Sequence, residues 1–189
     1  MTPLRTSKCA ALFCVLVVSL VAAQTPDSRQ AVTGATATQA VAGATNFQRL
    51  DANFASGGAT TLDAFAALQK LGFRTVINLR TASEPGADLE AEAKALGATG
   101  LKYFSLPFSP GAPDVAAVDK FLQVVADSAN QPVYIHCQSG QRANAFWLIK
   151  RVIVDGWPTD KALAEADGLK MTNQRLRDFA LAYLKDHEK

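Results

Sequence analysis

One short stretch of this chain, residues 136–142, combines a candidate nucleophile with a candidate anion-binding loop. It reads His-Cys-Gln-Ser-Gly-Gln-Arg, so four residues separate Cys137 from Arg142. Loop amides, together with a helix N-terminus that carries about half a positive charge, would favour the thiolate of the cysteine. The guanidinium of the arginine can hold a tetrahedral oxyanion with two parallel hydrogen bonds. These residue types therefore indicate nucleophilic chemistry on an anionic substrate.

The elements on either side of this loop would place its side chains. An apolar strand at residues 133–135 precedes the loop, and a run with helical apolar spacing follows it. At the end of the strand, His136 would point away from Cys137, so we expect it to pack and to orient the loop rather than to act as a base. Gly140 would let the backbone approach an anion closely. Taken alone, Cys137 has an alternative interpretation as a buried structural thiol.

Strands and helices alternate along the rest of the chain. The expected elements are an extended segment at 46–56, strands at 73–79, 101–107 and 133–135, and helices from Thr61 to Gly72, at 86–96 and 114–128, after the 136–142 loop with an apolar stripe that extends to Val152, and at 158–167 and 172–185. This alternation predicts a single α/β domain with a central, mostly parallel sheet and helices on both faces. Ligands bind such sheets at the carboxyl ends of the strands, which is where Cys137 falls.

Residues 1–23 have the pattern of an export signal. Arg5 and Lys8 precede an apolar run, and Val-Ala-Ala before Gln24 offers a cleavage site. The apolar run is shorter than the roughly 20 residues that a membrane span needs. We expect an exported protein, periplasmic or secreted, with no stable membrane insertion after cleavage; an uncleaved N-terminal anchor is the alternative.

The mature chain would consist of a linker and one domain. Residues 24–45 are rich in Ala, Thr, Gly and Gln and predict a flexible linker, and residues 46–189 predict the domain. The signal holds two of the 19 basic residues, so 17 remain against 17 acidic ones. This balance argues against a nucleic acid or an anionic membrane surface as partner. Of three cysteines only Cys137 remains, which excludes an internal disulfide and favours a reactive role.

The chain resembles the phosphatase-like domain of beta-lactamase hydrolase-like proteins, a branch of the dual-specificity and tyrosine phosphatase fold. The resemblance is carried by residues 73–80 with Glu84, by the strand that ends in Leu106-Pro107, and by the loop at 136–142. It covers roughly residues 46–185. It implies a tyrosine phosphatase-like architecture, a phosphorylated protein or small phosphoester as the partner, and no metal or organic cofactor.

The resemblance also implies roles for the loop residues. Cys137 would be the nucleophile that forms a thiophosphate intermediate, and Arg142 would hold the equatorial oxygens of the phosphoryl group. Substrate-binding positions would be Gln138, Ser139, Gly140 and Gln141, largely through their amides. Ser139 would help the sulfur to leave, and His136 would support the loop.

Two features depart from the phosphatase pattern. Tyrosine phosphatases have one residue more between cysteine and arginine, and the shorter loop found here has the length of a rhodanese-type sulfurtransferase loop, which carries a persulfide. Phosphatases also place an aspartate general acid in the loop after the preceding strand, but residues 105–113 contain no carboxylate. Asp114 is the nearest candidate acid, and capping a helix is its more ordinary role.

Three functions therefore stay open. They are a cysteine-dependent phosphatase, a sulfurtransferase that takes sulfur from a thiosulfate-like donor, and a non-catalytic module that binds anions or senses thiol oxidation.

Overall fold

The computed structural model describes residues 40–187. The predicted signal at 1–23 and most of the predicted linker lie outside these residues. The strands are β1 (Gln48–Asp51), β2 (Phe54–Gly57), β3 (Thr75–Asn78), β4 (Lys102–Ser105) and β5 (Val133–His136). The helices are α1 (Ala64–Lys70), α2 (Leu89–Thr99), α3 (Val115–Ala126), α4 (Gln141–Ile153), α5 (Thr159–Gly168) and α6 (Gln174–Asp186), with a short 3₁₀ turn at Ser128–Asn130.

The five strands form one sheet in the order β1-β2-β5-β3-β4. The central strand β5 is parallel to β2 on one side and to β3 on the other, and β3 is parallel to β4. Only the edge strand β1 pairs antiparallel, with β2. The predicted α/β domain with a mostly parallel sheet is confirmed.

Helices cover both faces of the sheet, each over its own apolar cluster. The larger cluster joins β5 to helices α3, α4, α5 and α6, and the smaller one joins the sheet to α1 and α2. Side chains alternate between the faces along β5, so Ile135 and Cys137 lie on the α4 side and Tyr134 on the α1 side. The sheet therefore delivers the cysteine to the N-terminal end of α4.

The N-terminal boundary of the domain differs from the prediction. Val41 and Ala44 are buried in the smaller cluster, and the backbone of Thr45 bonds to Ala59 and Gly58. This segment lacks large apolar side chains, but small ones are enough to order it because its backbone polar groups pair with residues 58–61, which follow β2. The ordered domain begins before residue 46, and residues 40–45 are not a free linker.

Two local predictions also differ. The segment 46–56 forms the two strands of the β1–β2 hairpin instead of one extended element. Helix α1 begins at Ala64 and has no side-chain cap, whereas the prediction placed a cap at Thr61. Within residues 40–187, none of the helices combines the length and the apolar character of a membrane span.

Candidate active site

The loop between β5 and α4 is held at both ends. The backbone N–H of Cys137 donates to the carbonyl of Gly57 on β2 at 3.2 Å. At the other end, Gly140 precedes the first residue of α4 with a φ of +93°. This left-handed conformation favours glycine over any residue with a Cβ, which explains why a glycine is found at the turn into the helix.

The sulfur of Cys137 lies inside this loop. The residue is 1% exposed, and its Sγ accepts a hydrogen bond from the backbone N–H of Gly140 at 3.1 Å. The N–H groups of Gln138, Ser139, Gln141 and Arg142 donate to no acceptor in the described part of the chain. A sulfur beside several amides without acceptors is an arrangement that can bind an anion against a nucleophile.

Arg142 is buried and held by three separate segments. Its Nη1 donates to the carbonyls of Leu79 (2.9 Å) and Phe108 (2.8 Å) and to Oε1 of Glu84 (2.6 Å), and its Nη2 donates to Oε2 of Glu84 (2.7 Å). The end of the guanidinium is thus bound, while Nε–H and the second Nη2–H, on one edge, donate to no oxygen among residues 40–187, and the Cys137 sulfur lies close to the guanidinium. That edge can make two parallel hydrogen bonds to an oxyanion.

Glu84 and Arg142 stabilise each other's charged forms. Burial opposes ionisation of Glu84, but the hydrogen bonds from Arg142 and the Thr81 amide, with the charges of Arg142 and Arg80, outweigh it and lower its pKa. Burial likewise opposes the charge of Arg142, yet the Glu84 carboxylate and the nearby Cys137 sulfur raise its pKa. Both groups are therefore ionised near neutral pH.

A pocket of about 410 Å³ opens over this loop. Its lining is mostly hydroxyl, amide and charged side chains: Thr81, Ser83, Glu84, Ser109, Pro110, Ser139, Gln141, Arg142, Asn173 and Leu176. Glu84 is the only carboxylate in this lining, and no aromatic residue contributes to it. The pocket can hold a phosphoryl group at its base, but it offers no free carboxylic acid.

His136 lies behind the loop, on the opposite face of the sheet from Cys137. It is fully buried, its Nε2 is 3.0 Å from Oε1 of Glu92, and its ring stacks on Tyr134. Oε2 of the same glutamate accepts from Asn78 at 2.9 Å. The position of His136 is compatible with the supporting role expected for it and places it away from the substrate.

Of the other predicted site residues, two are exposed and one has a side chain that is bonded within the protein. Ser139 is exposed and lines the pocket, whereas Gln138 is exposed and does not line it. The side chain of Gln141 is already engaged: it donates to the Lys170 carbonyl and accepts from the amides of Thr172 and Asn173. Gln141 can bind substrate only through its backbone, because its side chain holds the connection between α5 and α6.

Asp114 is not part of the pocket. Its carboxylate accepts from the Ala116 amide at 2.9 Å and caps α3, and the residue is exposed outside the pocket lining. Asp114 thus has the capping role, the more ordinary of the two considered for it, and it lies outside the pocket in which a general acid would act.

Glu84 is not among the residues predicted for the site. It entered only as one residue of the family resemblance, although it makes the bidentate contact with Arg142. A buried arginine needs acceptors, so a carboxylate soon after β3 could have indicated a partner for Arg142.

Comparisons with known proteins find related sequences. A family model described as a DSP-PTPase phosphatase fused to NAD+ kinase matches residues 29–179. The Beta-lactamase hydrolase-like protein of Agrobacterium fabrum is 31% identical over 103 residues, which make up 53% of this chain and 24% of that protein. The chain thus matches only about a quarter of the length of this curated relative.

Solved structures give the same fold. A putative phosphatase (DUF442) from Shewanella putrefaciens superposes with a TM-score of 0.64 at 21% identity, covering 75% of this chain and 90% of that one. TpbA from P. aeruginosa gives a TM-score of 0.59 at 27% identity, covering 75% of this chain and 84% of that one. A structure of TpbA in complex with pTyr is also similar.

Proposed function

This chain belongs to the DSP-PTPase phosphatase family whose members include domains fused to NAD+ kinase, and from that membership we propose that it hydrolyses phosphomonoesters through Cys137. The observation that carries the proposal is the Cys137 sulfur at 3.1 Å from the Gly140 amide, in a loop where the amides of residues 138, 139, 141 and 142 have no acceptor within residues 40–187. The free edge of the Arg142 guanidinium completes an oxyanion site around it.

The reaction would proceed in two displacements at phosphorus. The thiolate of Cys137 attacks the phosphorus, an S–P bond forms, and the P–O bond to the leaving group breaks with its electron pair on that oxygen. Water then attacks the thiophosphate, which releases inorganic phosphate and returns the thiolate. In both steps the loop amides and the Nε/Nη2 edge of Arg142 stabilise the equatorial oxygens.

Departure of the leaving group would depend on its own acidity. Glu84 is ionised and both its oxygens bind Arg142, and Asp114 lies outside the pocket, so no lining carboxyl is free to give a proton. General acid catalysis typically contributes about 10²–10⁴-fold. Aryl phosphates should therefore react much faster than alkyl phosphates such as phosphoserine.

The substrate would be a phosphorylated protein or a small phosphoester. The structure of TpbA with pTyr supports an aryl phosphoester as one such substrate. If residues 1–23 act as an export signal, the substrate is periplasmic or extracellular. Fractionation of cells that express the full chain would test this, since a cytoplasmic product of unchanged mass would contradict export.

A sulfurtransferase is the second candidate, favoured by the four-residue loop and by a pocket whose one lining carboxylate, Glu84, is bound to Arg142. In this reaction the Cys137 thiolate attacks the outer sulfur of thiosulfate, the S–S bond breaks, and sulfite leaves while a persulfide remains on the protein. Cyanide would then accept that sulfur as thiocyanate. Neither leaving group in these two steps, sulfite and then the Cys137 thiolate, needs a proton.

Parallel assays separate the candidates. We expect turnover of nitrophenyl phosphate that is lost in Cys137→Ser, with little thiocyanate formed from thiosulfate and cyanide. Rapid thiocyanate formation without phosphate release would instead support the sulfurtransferase. Binding of phosphate without turnover in either assay would leave the anion-binding module.

A further inference from the structure

A second pocket of about 190 Å³ adjoins the first one at the active-site loop. We call it the side pocket. It shares Ser139 and Gln141 with the main pocket and is otherwise lined by residues of the hairpin, of α4 and of the α5–α6 connection, among them Asn46, Gln48 and Lys170. The loop that carries Cys137 thus borders two cavities.

Hydrogen bonds hold the walls of the side pocket in place. Asn46 Nδ2 donates to the Ser139 carbonyl at 3.2 Å, which ties the N-terminal segment to the active-site loop. The buried hydroxyl of Ser56 donates to Oδ1 of Asn144 at 2.9 Å, and Nδ2 of Asn144 donates to the Leu169 carbonyl at 3.1 Å. The pocket is therefore preformed by residues that are far apart in sequence.

Two residues that line the side pocket have left-handed backbone conformations, Asn46 (φ +50°) and Lys170 (φ +58°). Lys170 directly follows the C-cap of α5, and the N–H of Met171 donates to the Ala166 carbonyl, as in a common helix ending. Asparagine tolerates the same conformation. These two turns fix the shape of the pocket wall.

The chemistry of the lining favours a hydrogen-bonding ligand without positive charge. Carboxamides and hydroxyls dominate, Lys170 is the only charged side chain of the lining, and neither a carboxylate nor an aromatic ring takes part. The side chains of Gln141 and Asn144 are already bonded within the protein. The Gln48 carboxamide makes no hydrogen bond within residues 40–187, and its Oε1 is buried, so this side chain has unused hydrogen-bonding capacity. A hydroxyl group can both donate and accept, which suits carboxamides in either orientation.

The size fits a small polyol. The cavity corresponds to about six water molecules at roughly 30 Å³ each. The main and side pockets together approach 600 Å³, within the range of about 300–1,000 Å³ that is usual for small-molecule sites.

We propose that the side pocket binds the hydroxyl-rich part of a sugar phosphate whose phosphate group occupies the active-site loop. The proposal rests on the proposed function for the phosphate end alone. A sugar 1-phosphate suits both ends, because its leaving group is a hemiacetal hydroxyl, which is more acidic than an ordinary alcohol and depends less on a general acid.

The test measures binding without turnover. In the Cys137→Ser protein, calorimetry should give a Kd for glucose 1-phosphate about tenfold lower than for inorganic phosphate, as expected for one or two added net hydrogen bonds. Gln48→Leu, which keeps the size of the side chain but not its polarity, should remove most of that preference. Lys170→Gly should also lower it, because it deletes the side chain while glycine tolerates the positive φ.

The control is Lys94→Ala, which removes an exposed lysine on α2 and should keep the tenfold preference. Thermal melts should show that all variants are folded. Equal affinities for phosphate and glucose 1-phosphate in the parent protein, or equal losses for both ligands in Gln48→Leu, would overturn the proposal. The proposal would also be overturned if Gln48→Leu weakened the binding of a phosphotyrosine peptide but not the binding of glucose 1-phosphate.

Turnover distinguishes this proposal from the proposed function. If the wild-type protein hydrolyses neither nitrophenyl phosphate nor glucose 1-phosphate but Cys137→Ser keeps its preference for the sugar phosphate, the phosphatase assignment fails and the side pocket is supported. If nitrophenyl phosphate is hydrolysed and the preference is absent, the side pocket proposal fails and the phosphatase is supported.

Discussion

Replacing Glu84 by glutamine tests how the arginine of the site is oriented. The carboxylate binds both terminal nitrogens of Arg142, at 2.6 and 2.7 Å, and its side chain is 19% exposed. Glutamine has nearly the same shape, but one of its two terminal atoms is a donor that would face an Arg142 N–H. The substitution therefore removes one of these two hydrogen bonds and the opposite charge.

The expected cost follows from these contacts. A hydrogen bond to a charged group contributes roughly 1.5–3 kcal/mol, and partial exposure reduces this to about 1–2 kcal/mol of unfolding free energy. Arg142 keeps its bonds to the Leu79 and Phe108 carbonyls, so its position should be loosened rather than lost. If the same 1–2 kcal/mol is lost from transition-state stabilisation, kcat/KM for nitrophenyl phosphate should fall about 5- to 30-fold, at about 1.4 kcal/mol per tenfold.

The direction of the change in kcat/KM shows whether the loss of the Glu84 charge or the altered orientation of Arg142 causes it. Deleting a negative charge beside the loop would by itself strengthen the binding of an anionic substrate. A fall in kcat/KM for Glu84→Gln therefore reports misplacement of Arg142. The matched control is Glu90→Gln on the exposed face of α2, which should match the wild type in activity; because Glu90 lies in the first turn of this helix, the unfolding free energy should fall by no more than about 0.3–1 kcal/mol.

The pH dependence of stability provides the second readout. The pKa of Glu84 is lowered in the folded state from its ordinary value of 4.5, so its contribution to stability is present above that value and is lost as the pH falls through the lowered pKa. Denaturant unfolding should thus show the largest difference between wild type and Glu84→Gln near pH 7, with a smaller difference in acid. Wild-type kcat/KM in the variant, or a difference in stability that does not change with pH, would refute this reasoning.

Three further outcomes are expected. Arg142→Lys should lose at least 100-fold in kcat because a point charge cannot replace the guanidinium edge, and steady-state kinetics on protein with a native circular dichroism spectrum would check this. Asp114→Asn should keep wild-type turnover, because asparagine can also cap α3. Asp114→Ala should lower the unfolding free energy by about 1 kcal/mol, measured by urea titration. A 100-fold loss of activity in Asp114→Asn would instead indicate that this residue acts as a general acid. Gly140→Ala should destabilise the protein by roughly 1–3 kcal/mol and slow the alkylation of Cys137 by iodoacetamide, because a φ of +93° is unfavourable for alanine. Unchanged stability and an unchanged alkylation rate would contradict a constrained loop.

The local part of the site was predictable from the sequence. The strand, the glycine and the helix that surround Cys137 are adjacent in the chain, so their periodicity and turn residues were sufficient to place the cysteine at the end of a parallel strand. The alternation of strands and helices likewise predicted the α/β sheet and its two covered faces.

The long-range part was not predictable in the same way. Glu84 lies 58 residues before Arg142, and its contact depends on how the loops after β3 and β5 meet above the sheet. The same holds for the Gln141 side chain, which bonds to residues about thirty positions later rather than to a substrate. The packing of residues 40–45 was missed because it relies on small side chains and backbone pairing, which leave little trace in composition.

Trapping the covalent intermediate tests the central claim most directly. Wild-type protein that is mixed with nitrophenyl phosphate and quenched in acid within milliseconds should carry one phosphoryl group in its intact mass, and peptide mapping should place it on Cys137. The Cys137→Ser protein should carry none under the same conditions. A protein that never gains a phosphoryl group, but gains one sulfur atom on Cys137 from thiosulfate and loses it to cyanide, would contradict the phosphatase account.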